Sequence, residues 1–536
     1  MKVSKLTAGR LAALGAATAV AAASVLVAPS AAQAAACNGN QNYRGDINGD
    51  DVPDVAVGLP NHAGGKGAVD LHLSGGTSVL VDSSSAGVAP RAGDQFGRTV
   101  VLGDVDGDGC DDLVVGGPGA PNGGYVAVVL GGPSGVVAAG RFVIQNPGST
   151  GADDFGASLA LTRAHGAENL QTLWVGAPGT DVSGKKDAGT AYQFRLTTTG
   201  GETTRQQVGK VTTNTIGLGA GVQDDERLGE VMSLETDGDS VLIGVPRRDV
   251  GELTDAGAVV VVSPARAPGS GDNPTYDSQL ITQDSSGVPD KAEAFDGFGA
   301  SVAGGWREMA IGVPGEDIVK KPSKKSLRGL SKKAKKKALR KAEKAGRDVG
   351  AVQTYQYGSP SSLITRNSKA NGKKIPGDRT RGDRFGTTVA YGEGLLCAGE
   401  AALAIGVPGD DVVLRKATKK TKKKKAKKAK IAVDAGSVVV IGGSNTKGCA
   451  MASLRQGDGT IPGKAERGDA FGTSLVVVFD RDNRSDREDK LIIGVPGEDE
   501  GSATDSGAIT GYVDADRTGG PVTGLAYGHV LATVAQ

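Results

Sequence analysis

A four-residue element, Val or Ile followed by Gly-x-Pro, recurs seven times along the chain. This repetition restricts the fold more than any other feature. The copies begin at Val57, Val115, Val175, Ile243, Ile311, Ile405 and Ile493. Each ends a short apolar run, as in Asp112-Leu113-Val114-Val115. After a variable loop, each is followed by a glycine and a second run such as Ala256-Gly257-Ala258-Val259-Val260-Val261. Runs this short, rich in Val and Ile and bounded by Gly and Pro, are strands. A Phe-Gly or Leu-Gly pair precedes six of the copies, at Phe96, Phe155, Leu228, Phe298, Phe385 and Phe471. The first copy lacks its pair. The missing piece lies at the far end of the chain, where Ala526-Tyr527-Gly528-His529-Val530-Leu531-Ala532 repeats the pattern of Asp154-Phe155-Gly156-Ala157-Ser158-Leu159-Ala160.

Each unit thus reads as four antiparallel strands. Strand A follows Phe-Gly, strand B carries the Gly-x-Pro run, strand C follows the second glycine, and strand D leads out. One such sheet cannot bury both faces, but seven packed radially can. The expected fold is all-β, a seven-bladed β-propeller of four-stranded antiparallel blades, closed by pairing of N- and C-terminal strands. Closure removes the unpaired edge that an open ring would expose. The blades are expected at 43–90 with 523–536, 91–150, 151–222, 223–290, 291–377, 378–463 and 464–522. Aromatics make only 4% of the chain, so Val, Ala, Leu and Ile must build the core.

These elements resemble the FG-GAP repeat over nearly the whole chain beyond the first 34 residues. That repeat builds the seven-bladed propeller of integrin α chains and occurs in exported bacterial proteins. The resemblance implies a secreted binding or adhesion module. In it the Phe-Gly and Gly-x-Pro elements are structural, and acidic A–B loops hold Ca²⁺.

Two repeats carry such a loop. One is Asp104-Val105-Asp106-Gly107-Asp108-Gly109-Cys110-Asp111-Asp112, the other Asp46-Ile47-Asn48-Gly49-Asp50-Asp51-Val52-Pro53-Asp54. Both place oxygen side chains at positions 1, 3, 5 and 9 and Gly at position 4. A hard cation such as Ca²⁺ takes roughly six to eight oxygens. The candidate ligands are Asp104, Asp106, Asp108 and Asp112 with the Cys110 carbonyl, and Asp46, Asn48, Asp50 and Asp54 with the Val52 carbonyl. A solvated Asp/Gly turn is the plainer alternative. The seventh repeat begins alike at Asp480 and Asp482 but has Arg484 at the fifth position.

Residues 1–34 read as an export signal: Lys2, Lys5 and Arg10, an Ala-rich apolar stretch, then Ala32-Gln33-Ala34 as a cleavage site. No other run is apolar enough to span a membrane. Ala-Ala-Ala-Cys37 weakly resembles a lipoprotein site but lacks its usual Leu. The expected destination is extracellular, with cell-wall association open. The four cysteines, Cys37, Cys110, Cys397 and Cys449, allow three pairings. Cys37–Cys110 and Cys397–Cys449 are favoured because each pair falls in one or neighbouring repeats. Free buried thiols are the other reading.

Two basic inserts depart from the repeat. Residues 320–347, including Lys332, Lys333, Lys335, Lys336 and Lys337, carry fourteen basic residues and one acidic. Residues 415–430, including Lys422, Lys423, Lys424 and Lys425, carry eleven basic residues. The chain totals +1, so the remainder is strongly acidic. Both inserts lie between strands B and C, which puts them on the rim opposite the A–B loops. Like charges repel, so solvated arms, disordered or weakly helical, are expected. A polyanion suits them: teichoic acid, acidic polysaccharide, anionic lipid or nucleic acid. A surface protein is the other partner class, and the chain is expected to be a monomer. With no aromatics interleaved, base stacking is disfavoured.

No catalytic motif accompanies His62, His72, His165 or His529, so an enzyme is not expected. An extracellular hydrolase or lyase on a propeller scaffold is the alternative. Arg-Gly-Asp occurs at 44–46, 381–383 and 467–469. Asp383 and Asp469 precede Phe-Gly by two residues, as Asp94 and Asp296 do without Arg-Gly, so the aspartate belongs to the repeat.

Overall fold

The computed structural model describes Cys37 and residues 45–534 apart from 149–150, 163–169, 200, 217–220, 236–239, 265–275, 306–307, 320–321, 357, 367, 371–372, 378, 416–427, 444–448, 460, 479–488, 500–506, 513–522, 525–529 and 532. The export-signal segment, Asp480, Asp482, His165 and His529 lie outside the described residues.

Seven four-stranded antiparallel blades stand in a ring. The second blade shows the unit. Its strands Thr99–Gly103, Asp112–Gly117, Tyr125–Leu130 and Val137–Gln145 hydrogen-bond in sequence order. In the first blade the order is completed from the C-terminus. Val530–Leu531 pairs antiparallel with Val55–Leu59, Val57 opposite Leu531 and Gly58 opposite Val530. Thr523–Gly524 forms the fourth strand of the seventh blade. Thr533–Val534 runs on beside Thr99–Gly103 as a short parallel partner. The tail is thus stitched to the head, as the displaced Tyr-Gly pair requires.

The core lies between blades. Val114, Val126 and Val128 of the second blade pack with Phe155, Leu173, Val175 and Tyr192 of the third. Phe96, Phe155, Phe298, Phe385 and Phe471 are all completely buried. Few aromatics suffice because each plugs one interface and β-branched residues fill the rest.

The glycines explain why the two dipeptides recur together. A Cβ on Gly116, of Gly-x-Pro, would lie 2.0 Å from the carbonyl oxygen of Gly156, the glycine of the next blade's Phe-Gly. The same backbone-on-backbone contact joins Gly176 to Gly229, Gly244 to Gly299, Gly312 to Gly386 and Gly406 to Gly472. A hydroxyl closes the clamp. Thr99, Ser158, Ser301 and Thr388 each donate to the carbonyl of the neighbouring blade's glycine, at 2.6–2.9 Å. Sequence reading missed these hydroxyls, although their signal was present: each stands two residues after Phe-Gly.

Candidate functional site

The acidic loops have one local architecture, dictated by the positions of their aspartates. In the second blade the Asp104 carboxylate accepts the amides of Gly107, Asp108 and Gly109. In the first, Asp46 accepts those of Gly49, Asp50 and Asp51. Position 5 accepts from position 7 in both, Asp108 from Cys110 at 2.8 Å and Asp50 from Val52 at 3.0 Å. The ninth residue reaches across the rim. Asp112 accepts from Val105 on one oxygen and from Gly131 on the other, while Asp54 accepts from Ile47 and Ser74. Gly131 and Ser74 lie just beyond strand C, so this aspartate ties the A–B loop to the C–D loop.

Carboxylate oxygens of Asp104, Asp106 and Asp108 all lie within 4.8 Å of one another. In the first loop the Asn48 amide donates to Asp50 at 3.0 Å, bringing positions 3 and 5 together. Asp112 and Asp54 turn both oxygens to backbone amides. The electrostatics follow from crowding. Burial, reinforced by Asp106 and Asp108, pushes Asp104 up to about 6. Burial and Asp108 push Asp106 to about 6. Asp54 rises to about 7, chiefly by burial, and Asp112 lies well above the ordinary carboxylate range for the same reason. Asp46 is raised by burial. The charges that oppose ionisation here are other carboxylates, so these oxygens suit a hard cation. Asp104, Asp106 and Asp108 would be its first ligands.

The loops also join blades. The Asp111 amide donates to the Asp46 carbonyl at 2.7 Å and Gly132 to Ile47 at 2.9 Å. The Asp104 carbonyl accepts from Gln171 and that of Val105 from Thr198, both in the third blade. Cys37 and Cys110 form a disulfide, Cα atoms 5.3 Å apart. It touches the first loop as well: a Cβ on Gly49 would lie 3.1 Å from Cys37 and 3.2 Å from the Cys110 sulfur. Cys397–Cys449 is the second disulfide, Cα atoms 5.4 Å apart. Both pairings are those favoured from the sequence.

The opposite rim carries the basic inserts. Lys324–Leu327 and Lys332–Ala345 are helices, where a disordered or weakly helical arm was expected. The long helix forms because Ser331 caps it, accepting from Ala334, and because Ala, Leu, Lys and Arg all favour helix. Lys332, Lys333, Lys335, Lys336 and Lys337 are exposed along it. The second insert springs from a two-stranded ribbon, Val412–Arg415 against Lys430–Ala432. Lys422, Lys423, Lys424 and Lys425 lie outside the described residues. The ribbon was not foreseen, because eleven basic residues masked the short apolar flanks.

The aspartate two residues before Phe-Gly is buried in each repeat that has it: Asp94, Asp153, Asp296, Asp383 and Asp469, with Glu226 in the Leu-Gly repeat. Asp383 accepts the Thr380 amide at 2.8 Å and Asp469 that of Glu466. Two of the Arg-Gly-Asp triplets therefore turn their carboxylates into the repeat's own turn.

Buried polar pairs hold this rim. Arg366 bonds Asp410 and Ser437, each at 2.7 Å, and Gln283 donates to Glu316 at 2.8 Å. Burial, with Asp296 and Asp290 close by, lifts Glu316 from its ordinary 4.5 to about 9. A raised carboxyl stabilises the fold fully below its unfolded value, and that contribution drains away as pH climbs toward the folded one. Glu316→Gln has no proton to lose. Its advantage in unfolding midpoint over the parent should therefore grow from about pH 5 to pH 9. A constant difference across that range would show that Glu316 is already ionised in the native protein.

Asp70, His72 and Ser78 meet on one face of the first blade, Ser78 Oγ lying 2.8 Å from His72 Nδ1 and Asp70 3.2 Å from Nε2. A nucleophilic serine would also need paired N–H donors and an enclosing wall. A cavity of about 170 Å³ lies elsewhere, between the fifth and sixth blades, lined by Glu308, Tyr355, Tyr391 and Leu403. Ser78 stands opposite His72 in the ladder and makes a cross-strand hydrogen bond to it, while Asp70 lies beside His72 on the same strand.

A ring of seven blades with clamped glycines and acidic A–B loops defines a repeat-built β-propeller. Residues 96–129, from the Phe-Gly pair of the second blade through its acidic loop to strand C, match the FG-GAP repeat family. This match and the seven-bladed ring together support an FG-GAP β-propeller protein, with the fold of an integrin-like propeller module. No curated protein matches the chain. No helix among the described residues is long and apolar enough to cross a membrane.

Proposed function

We propose that this protein is a secreted binding module whose two acidic loops hold Ca²⁺ and whose opposite rim takes an anionic ligand. The observation that carries the reading is the separation of charge. Clustered carboxylates lie on the A–B rim, and a helix with exposed lysines stands on the B–C rim. Ca²⁺ would offset the repulsion among Asp104, Asp106 and Asp108 and clip the first two blades. The lysines would bind by counterion release, so attachment should weaken as salt rises.

Retention on immobilised heparin tests the rim. Deleting 415–430, or changing Lys332, Lys333, Lys335, Lys336 and Lys337 to Gln, should shift elution to markedly lower salt. Unchanged elution in both variants would end the polyanion reading. For the metal, chelation should lower the melting temperature by about 3 °C, the scale for a ligand near a hundredfold its Kd in a chain of this size. Asp108→Ala should abolish part of that shift. A melting curve indifferent to chelator would dispose of both loops as metal sites.

A further inference from the structure

Nine large apolar side chains are exposed among the described residues, and seven of them belong to loops of the adjacent fifth and sixth blades on the basic rim. Phe295 is the most open of the nine, 65% exposed in the D–A loop that enters the fifth blade. It stays on this rim because its amide donates to the Thr254 carbonyl, in the fourth blade's B–C loop. Leu330 and Leu339 flank and occupy the lysine helix. The other four are Val413, Leu414 and Ile431 of the sixth-blade ribbon and Val433 just after it.

The ribbon's two faces differ. Val412 and Ala432 stand opposite each other and are buried against Ala435 and Ala465. The next pair, Val413 opposite Ile431, therefore points outward. These two are 42% and 47% exposed, and Leu414 and Val433 are exposed beside them. An apolar outer face is a cost in water that a purely electrostatic arm would not need. Here it sits at the root of one basic insert and on the blade next to the other.

We propose that this sector docks onto an anionic lipid bilayer. Val413, Ile431 and Phe295 enter the headgroup boundary while the helix lysines lie along the phosphates. The inference rests on the basic-rim reading and narrows its ligand. A polysaccharide or nucleic acid would neutralise the lysines but leave the ribbon's outer face in water. A bilayer takes both, since interfacial binding combines buried apolar area with attraction to anionic lipid. Each basic residue that reaches such a surface contributes roughly fivefold in partitioning. The helix carries eight basic residues and one acidic over residues 332–345, so few need engage.

The test is co-sedimentation of the purified protein with vesicles of phosphatidylglycerol in phosphatidylcholine, beside vesicles of phosphatidylcholine alone. Selective binding to the anionic vesicles is expected. Val413→Ser with Ile431→Ser should lower it about tenfold, by loss of apolar area, while heparin retention stays as in the parent. Val413→Trp supplies a second readout: brominated lipids should quench its fluorescence in the anionic vesicles. Heparin retention without vesicle binding would overturn this inference and leave the basic-rim reading standing. Loss of both would remove both. Vesicle binding insensitive to the serine pair and without quenching would mean charge alone acts, and the docking proposal fails. A dimer that the serine pair dissociates, with no vesicle binding, would assign the face to self-association and equally overturn it.

Discussion

Gly312→Ala is expected to destabilise the protein by about 3 kcal/mol or more, an effect at the top of the range for adding one methyl group. Its Cβ would fall 2.0 Å from the Gly386 carbonyl oxygen and 2.2 Å from the Ser301 hydroxyl. Real Cβ atoms do not sit there, and neither obstacle is the free end of a long side chain. One is backbone of the next blade, and the other is the donor that satisfies that backbone. The strain cannot be shed without parting the fifth and sixth blades. Removing only the donor, by Ser301→Ala, should cost about 1 kcal/mol. Gly75→Ala serves as the control, since a Cβ there meets nothing within 4 Å. Urea unfolding midpoints measure all three. Near-equal midpoints for Gly312→Ala and Gly75→Ala would mean that the blades do not meet glycine to glycine.

That clamp also shows what can be read from the chain before it is folded. The spacing of Val or Ile-Gly-x-Pro and Phe-Gly was enough to count blades, because each motif marks one strand of a unit that must repeat to bury itself. The displaced Tyr527-Gly528 was enough to place the closure, because an edge strand has to be paired somewhere. What could not be read was why two glycines per unit are needed. The contact joins Gly116 to Gly156 and Gly312 to Gly386, residues brought together only by the ring. The acidic loops were legible for the opposite reason. Their hydrogen bonds span five residues or fewer from Asp104 or Asp46, so local spacing fixes them. Their link outward, through Asp112 to Gly131 and Asp54 to Ser74, needs strands B and C in place and left no local trace. The ribbon at Val413 and Ile431 was hidden because its apolar flanks are three or four residues long, too short for alternation to stand out.

Removing the Cys37–Cys110 disulfide should produce the other large loss. The bond spans 73 residues, for which chain entropy alone implies about 4 kcal/mol. Cys397–Cys449 spans 52, so by the same reasoning the two should differ by only about 0.3 kcal/mol. Their surroundings differ far more. Cys397 lies in the A–B loop and Cys449 in the C–D loop of the sixth blade. That disulfide thus makes within one blade the tie that Asp54 and Asp112 make in the first and second. Cys37–Cys110 instead lies between two blades. Cys110 is the seventh residue of one acidic loop, and its sulfur rests on Gly49, the fourth residue of the other, whose φ of +70° suits glycine. Losing it should loosen both loops together and the Asp111–Asp46 backbone bond that joins them. Cys37→Ser with Cys110→Ser should therefore cost at least 1 kcal/mol more than the corresponding sixth-blade pair, beyond the entropic difference. It should also shrink the chelator-dependent shift in melting temperature, which the sixth-blade pair leaves intact. Equal losses from the two pairs, with equal response to chelator, would reduce both disulfides to constraints on the unfolded chain. The first two blades would then be joined by backbone bonds and side-chain packing alone.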